Sequence, residues 1–204
     1  MSVSVQAFDD PRRDALVRQA RRHFVEDGYA GAKMEPIARE AGVSTATLYA
    51  MFENKAALFA AVIEEASADF AERMARVKSV AGPTRPRLNS FLTAYAEFIG
   101  DPFVRAILRL VMTERRRFES LAMTFYERAK QDFGTVLVSA LAEMEAKGAL
   151  KLGKPSWAAS QLMGMVEHPL FFVPTVTGDQ VLPTRSPVAI AEDAVETFLA
   201  RYAA

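Results

Sequence analysis

An all-α fold follows from three features of the sequence. Several segments open with a side-chain oxygen followed by proline, at Asp10-Pro11, Asp101-Pro102 and Ser186-Pro187, where the missing N–H costs nothing. Apolar residues recur at three- and four-residue spacing along almost the whole chain. No period-2 run bounded by turn residues is long enough to support a sheet. Together these predict helices at about 10–27, 34–41, 45–51, 55–78, 86–100, 102–116, 119–147, 155–173 and 187–203, nine in all.

The first helix carries Leu16, Ala20 and Phe24 on one face and is expected to end at Gly28. The second and third are short and meet at Gly42. The fourth follows Asn54-Lys55 and places Phe59, Ile63, Ala66, Phe70, Met74 and Val77 on one stripe. Between it and the fifth helix, Ser79 to Pro86 contains Gly82, Pro83 and Pro86 and reads as a domain joint. The fifth repeats the stripe through Leu88, Phe91, Leu92, Tyr95 and Phe98. Gly28, Gly100 and Gly148 are each expected to take the left-handed conformation that closes a helix. In the eighth helix His168-Pro169 is expected to produce a kink, and Pro174 to Pro183 reads as an exposed, mobile loop before the ninth.

Composition narrows the chemistry. Half of the 204 residues are apolar, enough for a substantial core, and there is no cysteine. Disulfides, thiolate nucleophiles and Cys-based metal sites are therefore excluded. No apolar run approaches the roughly 18 residues needed to span a bilayer, and Asp9 and Asp10 stand near the start, so a cytoplasmic location is expected. Over residues 1–65 there are eight Lys and Arg against ten Asp and Glu, a net of −2. A nucleic-acid-binding segment with so few cations must concentrate them on one face.

The most informative stretch is Ile37 to Phe52, IAREAGVSTATLYAMF: a short helix, a glycine turn and a second short helix. Ala38 stands four residues before Gly42, where a small side chain lets two helices approach. Gly42 supplies the positive φ of a tight turn between steeply crossing helices. Ile37, Ala41, Val43, Leu48 and Met51 then face inward, and Ser44 caps the second helix. Thr45, Ala46, Thr47 and Tyr49 project outward from its first turns, the positions of a helix-turn-helix that enter a major groove.

From Ala15 to Ile63 the sequence resembles the DNA-binding domain of the TetR/AcrR family of transcriptional regulators. Phe24, Gly28-Tyr29, Ile37-Ala38, Ala41-Gly42-Val43-Ser44, Leu48-Tyr49, Phe52, Lys55 and Leu58 carry the resemblance. It implies that Ser44, Thr45, Thr47 and Tyr49 face DNA and that Lys55 meets a phosphate at the start of the fourth helix. Lys33 replaces a small hydroxylic residue and would touch phosphate as a point charge, while Ala46 and Ala50 offer fewer contacts than their counterparts. Arg12 and Arg13 are further candidates for backbone contact. The division this implies is a helix-turn-helix domain over 1–54, a connecting helix and joint over 55–85, and a ligand-binding and dimerisation domain over 86–204.

That larger part resembles the family only loosely, most clearly in Leu108 to Glu114 with Phe118 and Phe125 to Arg128. Its stock of Phe, Tyr and Met suits a pocket for a small apolar or aromatic effector, with Phe91, Tyr95, Phe98, Ile107, Met112, Phe125 and Met163 as candidate lining. Tyr95, Arg109, Glu114 and Trp157 are candidate polar contributors, although Arg109 with Glu114 also reads as a simple ion pair. Leu162, Met163, Val166, Leu170, Ile190, Val195, Phe198, Leu199 and Tyr202 on the last two helices exceed what one packed face requires and suggest a homodimer surface. His23 and His168 have no carboxylates at ligand spacing, so neither a metal nor a cofactor is expected. No phosphate-cradling glycine loop, His-Glu-x-x-His or nucleophile elbow points to catalysis. The reading is a ligand-responsive regulator, acting as a repressor, that binds palindromic double-stranded operator DNA as a homodimer. The competing reading is a helical ligand-binding or interaction module without DNA binding.

Overall fold

The computed structural model describes residues 10–78 and 82–204, with the side chains of 69–78 outside that description. The first residues of the chain, the start of the predicted joint (79–81), and the side chains of Phe70, Met74 and Val77 of the fourth-helix stripe therefore lie outside that description. Nine helical stretches are present among the described residues: α1 (Pro11–Gly31), α2 (Met34–Glu40), α3 (Thr45–Met51), α4 (Lys55–Lys78), α5 (Thr84–Ile99), α6 (Pro102–Glu114), α7 (119–146), α8 (155–176) and α9 (Pro187–Tyr202). Apart from one antiparallel bridge between Leu150 and Ala203, no extended pairing occurs among them. No single helix among the described residues is long and apolar enough to cross a membrane.

The helix starts are built as their residues dictate. Asp10 accepts from Arg12 N at 2.9 Å, Asp101 from Phe103 N at 2.8 Å and Ser186 from Ala189 N at 3.2 Å, each satisfying an otherwise orphaned donor. Gly28 sits at φ 70 and breaks α1, after which Tyr29 to Gly31 add one more turn. Gly148 is also left-handed, but Gly100 is not: its φ is −80. A side chain at Gly100 would meet the Ala96 carbonyl at 2.8 Å, so the residue is glycine for want of space. Helix α5 begins at Thr84, earlier than Pro86, because proline is tolerated in the first turn.

Two helices carry a single π-turn of five residues, Lys130–Gly134 within α7 and His168–Phe172 within α8. In α8 the cause is legible: Pro169 has no N–H to donate, and the ladder resumes with Val173 N capping onto the His168 carbonyl.

By their contacts the residues fall into two compact units, Met1–Ala66 with Leu110–Ala122, and Ser67–Arg109 with Met123–Ala204. The core of the first is built on Leu16, Ala20, Phe24, Ile37, Leu48, Leu58 and Phe59, all buried. Its aromatic centre stacks Phe24 on Tyr29 at 5.8 Å, sets Phe59 edge-on to both, and is completed by Phe118, whose ring lies 4.9 Å from each of Tyr29 and Phe59. Such pairs add roughly 0.5–1.5 kcal/mol each beyond the area they bury.

The second unit has a separate core from α5, α7, α8 and α9, in which α5 and α9 pack closely through Leu88, Leu92, Val195 and Phe198. Here the expected dimer residues are corrected. Leu162, Val166, Leu170, Ile190, Val195, Phe198, Leu199 and Tyr202 are buried within the subunit, and Met163 packs against the same core. The apolar stripe left exposed on α8 is a different one, Trp157, Phe172 and Val176. A helix in a one-sided bundle has two apolar faces to assign, and the sequence spacing assigned the wrong one outward.

The segment from Pro174 to Pro183 is not a free loop. Helix α8 runs into it as far as Val176, and Asp179, at φ 63, binds Arg105 at 2.9 Å and Arg109 at 2.8 Å. Arg109 therefore pairs with Asp179 and not with Glu114. Arg105, only 3% exposed, also donates to the Gly100 carbonyl.

Candidate nucleic-acid interface

The helix-turn-helix is positioned from below by apolar residues and from its ends by caps. Ile37, Ala38 and Leu48 are fully buried, while Ala41, Val43 and Met51 are half-buried. Gly42 turns the chain at φ 73 and its N–H bonds Arg39 O at 3.1 Å. Ser44 Oγ then accepts from Thr47 N at 3.0 Å and pairs with Thr47 Oγ1 at 2.8 Å. This cap ties up the two hydroxyls facing each other across the first turn of α3, so Thr47 offers its methyl more readily than its hydroxyl.

The outward face of α3 stands free. Ala46, Tyr49 and Ala50 are exposed, Tyr49 to 47%, and Thr45 is half-exposed. The flanking cations differ from one another. Lys33 is exposed at the N-cap of α2 without a side-chain capping bond. Lys55 spends two of its three N–H groups on Ala30 O, at 3.2 Å, and Ala32 O, at 2.9 Å, and lies 4.8 Å over the Tyr29 ring. It is thus a strut joining the start of α4 to the end of α1, with one donor left for a phosphate. Arg12 is held by Asp10, whose carboxyl that hydrogen bond draws below its ordinary pKa. The Arg13 guanidinium lies 5.4 Å over the Phe52 ring.

His23 is not isolated. Its ring nitrogens stand 3.2 Å from Asp27 and 3.2 Å from Glu40, which also pairs with Arg22, so α1 and α2 are fastened by a small polar cluster. One partner was visible in sequence as the residue four positions on, whereas Glu40 was brought in by the fold. Sequence reasoning placed a turn after α6 but gave its arginines no role. Arg115, Arg116 and Arg117 are exposed there, Phe118 enters the aromatic centre, and the Arg117 guanidinium sits 4.5 Å over Tyr29.

In the second unit, Phe91, Tyr95 and Phe98 surround Phe133 at 6.5, 4.6 and 5.5 Å, with Met163 against the same core. Tyr95 donates to Glu167; burial first, then the Glu167 charge and that hydrogen bond, push its phenol well above its usual pKa. Ile107 is buried apart from this cluster and Phe125 is half-buried. Met112, 45% exposed, belongs to the first unit. Trp157 is exposed, and Glu114 is half-buried. A half-open cleft of about 310 Å³ lies beside Phe91, between Arg87 and Leu88 of α5 and Val136, Ala140 and Glu143 of α7. Of the candidate lining residues it touches Phe91 alone.

Comparison with known proteins agrees with this architecture. Residues 16–62 match the family profile of bacterial regulatory proteins of the tetR family, and residues 86–204 match that of the AefR-like transcriptional repressor C-terminal domain. The HTH-type transcriptional activator FasR of Mycolicibacterium smegmatis is 33% identical over 90 residues, 44% of this chain and 41% of that protein. The chain thus covers less than half the length of that relative. Among solved structures, the flavonoid-responsive regulator FrrA is 30% identical, covering 94% of this chain and 97% of that one, with a TM-score of 0.68. A TetR-family regulator from Mesorhizobium loti matches 98% of this chain and 100% of its own at a TM-score of 0.80 and 24% identity, a likeness of fold. Through a helix-turn-helix profile at one end and a regulatory-domain profile spanning more than half its length at the other, the chain belongs to the TetR family of transcriptional regulators.

Proposed function

We propose that this DNA-binding regulator represses transcription in the cytoplasm, binding a palindromic operator as a homodimer and leaving it when a small apolar or aromatic effector binds the second unit. The observation that carries the reading is the solvent-facing first turn of α3. Thr45, Ala46, Thr47 and Tyr49 are presented there on a scaffold held from beneath by the buried Ile37, Ala38 and Leu48. Thr45 and the Thr47 methyl would read base edges and thymine methyls, and Tyr49, Lys33 and the free donor of Lys55 would fix register on the backbone. The parcelling of roles we propose is DNA binding over 1–54, connection over 55–85, and effector binding with dimerisation over 86–204.

Effector chemistry is supported by the aromatic cluster of Phe91, Tyr95, Phe98 and Phe133 beside the 310 Å³ cleft, with Arg87 and Glu143 as polar contacts at its rim. FrrA, by its name, responds to flavonoids. Repression is favoured by the AefR-like repressor profile over 86–204, against the activator FasR, whose match covers a smaller share of the chain. For the dimer we propose the exposed face of α8, with Trp157, Phe172 and Val176, since the residues first expected there are interior.

Ala46→Glu tests the DNA-binding face directly. Ala46 is exposed in the first turn of α3, where an acidic side chain suits the helix dipole, so folding should be unaffected. A carboxylate facing phosphate should abolish a mobility shift on DNA upstream of the chain's own gene. Unchanged binding by a folded Ala46→Glu protein would overturn the reading.

A further inference from the structure

The first 66 residues carry a net charge of −2, an unusual balance for a surface that must approach a polyanion. A distant part of the sequence, Leu110–Ala122, brings three arginines against two glutamates to the same unit and gathers its cations in one turn. The turn between α6 and α7 belongs to the same compact unit as the helix-turn-helix, and its three consecutive arginines are all exposed. It is held firmly. Arg117 N and Phe118 N bond Glu114 O at 2.9 and 3.0 Å, and the Phe118 ring is wedged 4.9 Å from Tyr29 and from Phe59.

Its position follows from one ring. The Arg117 guanidinium lies 4.5 Å from the Tyr29 centroid, and the Lys55 ammonium lies 4.8 Å from the same point. The two cations are therefore within about 10 Å of each other, one screening length at 0.1 M salt. Lys55 in turn grips the carbonyls of Ala30 and Ala32, next to the exposed Lys33. Arg115 and Arg116 make no salt bridge to a carboxylate among the described residues, although Glu114 and Glu119 flank the run.

We infer that the α6–α7 turn is an auxiliary phosphate-binding site of the DNA-binding unit: Arg115 and Arg116 contact the duplex backbone beside the helix-turn-helix, and Arg117 and Phe118 anchor the turn on Tyr29. The ligand is phosphodiester, without sequence preference. The inference rests on the DNA-binding reading above, and it gives residues 110–122 a share in affinity that the sequence motif alone does not contain.

The test is a salt titration of binding to two probes, a random-sequence duplex and a duplex enriched by selection on the wild-type protein. Each phosphate contact contributes about 0.9 to the log–log salt slope. Arg115→Gln with Arg116→Gln should make that slope shallower by about 1.8 per protomer on both probes, with affinity lost by a similar factor on each. Arg115→Lys with Arg116→Lys should restore most of the slope, since a point charge suffices for a backbone contact. Both pairs lie at the exposed surface, so the thermal midpoint in the absence of DNA should not move. A glutamine variant that binds both probes with the wild-type slope overturns the inference and leaves the DNA-binding reading standing. A wild-type protein that binds neither probe overturns both.

Discussion

Asp179→Asn isolates the charge that organises the turn between α8 and α9. Asparagine keeps the shape of the side chain and tolerates the left-handed backbone, φ 63, that Asp179 adopts. In the native protein Asp179 accepts from Arg105 Nε at 2.9 Å and from Arg109 at 2.8 Å. Arg105 is 3% exposed, and weakening its charged hydrogen bond costs roughly 1.5–3 kcal/mol. The Arg109 contact is about a third exposed and adds no more than about 0.5–1 kcal/mol. The amide can still accept from one arginine, so the net loss should be about 2 kcal/mol, or roughly 8 °C in the thermal midpoint of a domain of this size.

The effect should also depend on pH in a defined direction. Burial pushes the Asp179 carboxyl up, but hydrogen bonds from Arg109 and Arg105, with their charges, outweigh it and hold the pKa below its usual value of 3.8. A carboxylate with a depressed pKa stabilises the fold above its unfolded-state pKa and loses that stabilisation as pH falls through the folded value. The gap between wild type and Asp179→Asn should therefore be constant near neutrality and shrink below about pH 4. Guanidinium unfolding followed by circular dichroism measures both. A variant within about 0.5 kcal/mol of wild type at neutral pH, or a gap indifferent to acid, would refute this account of the turn.

Two further substitutions probe the DNA-binding unit. Lys55→Met keeps the stem but removes the ammonium that holds Ala30 O and Ala32 O; stability without DNA should fall by about 1–3 kcal/mol, where a pure phosphate contact would leave it unchanged. Gly42→Ala meets no steric contact but places a Cβ at φ 73, and should cost about 1–2 kcal/mol in chemical denaturation; a neutral result would contradict the turn geometry.

What the sequence disclosed follows from which interactions are local. Caps, periodicity and Gly42 act within a few residues, so the nine helical stretches among the described residues and the outward face of α3 could be read directly, with Gly28 marking the break in α1. Interactions closing over long separations could not. Asp179 lies 74 residues from Arg105, so its loop read as free, and Arg109 was matched with the nearer Glu114. The same limit hid Phe118, which joins Tyr29 and Phe59 only after α6 has returned to the first unit. Periodicity also shows that α8 and α9 are apolar without showing which face the subunit keeps. Leu162 and Phe198 therefore turned out interior, and Trp157 exterior. The Arg115 to Arg117 run was plain in the sequence, but its relevance depended on Tyr29 standing beside it.

Selection of the wild-type protein against a random double-stranded DNA pool, followed by sequencing of the bound fraction, tests the central claim most directly. The exposed turn of α3, presented twice by a symmetric dimer, should enrich an inverted repeat whose half-sites are centred one helical turn, about 34 Å, or a multiple of it apart. A pool that remains random after repeated rounds, or one that converges on a single unrepeated site, would contradict it.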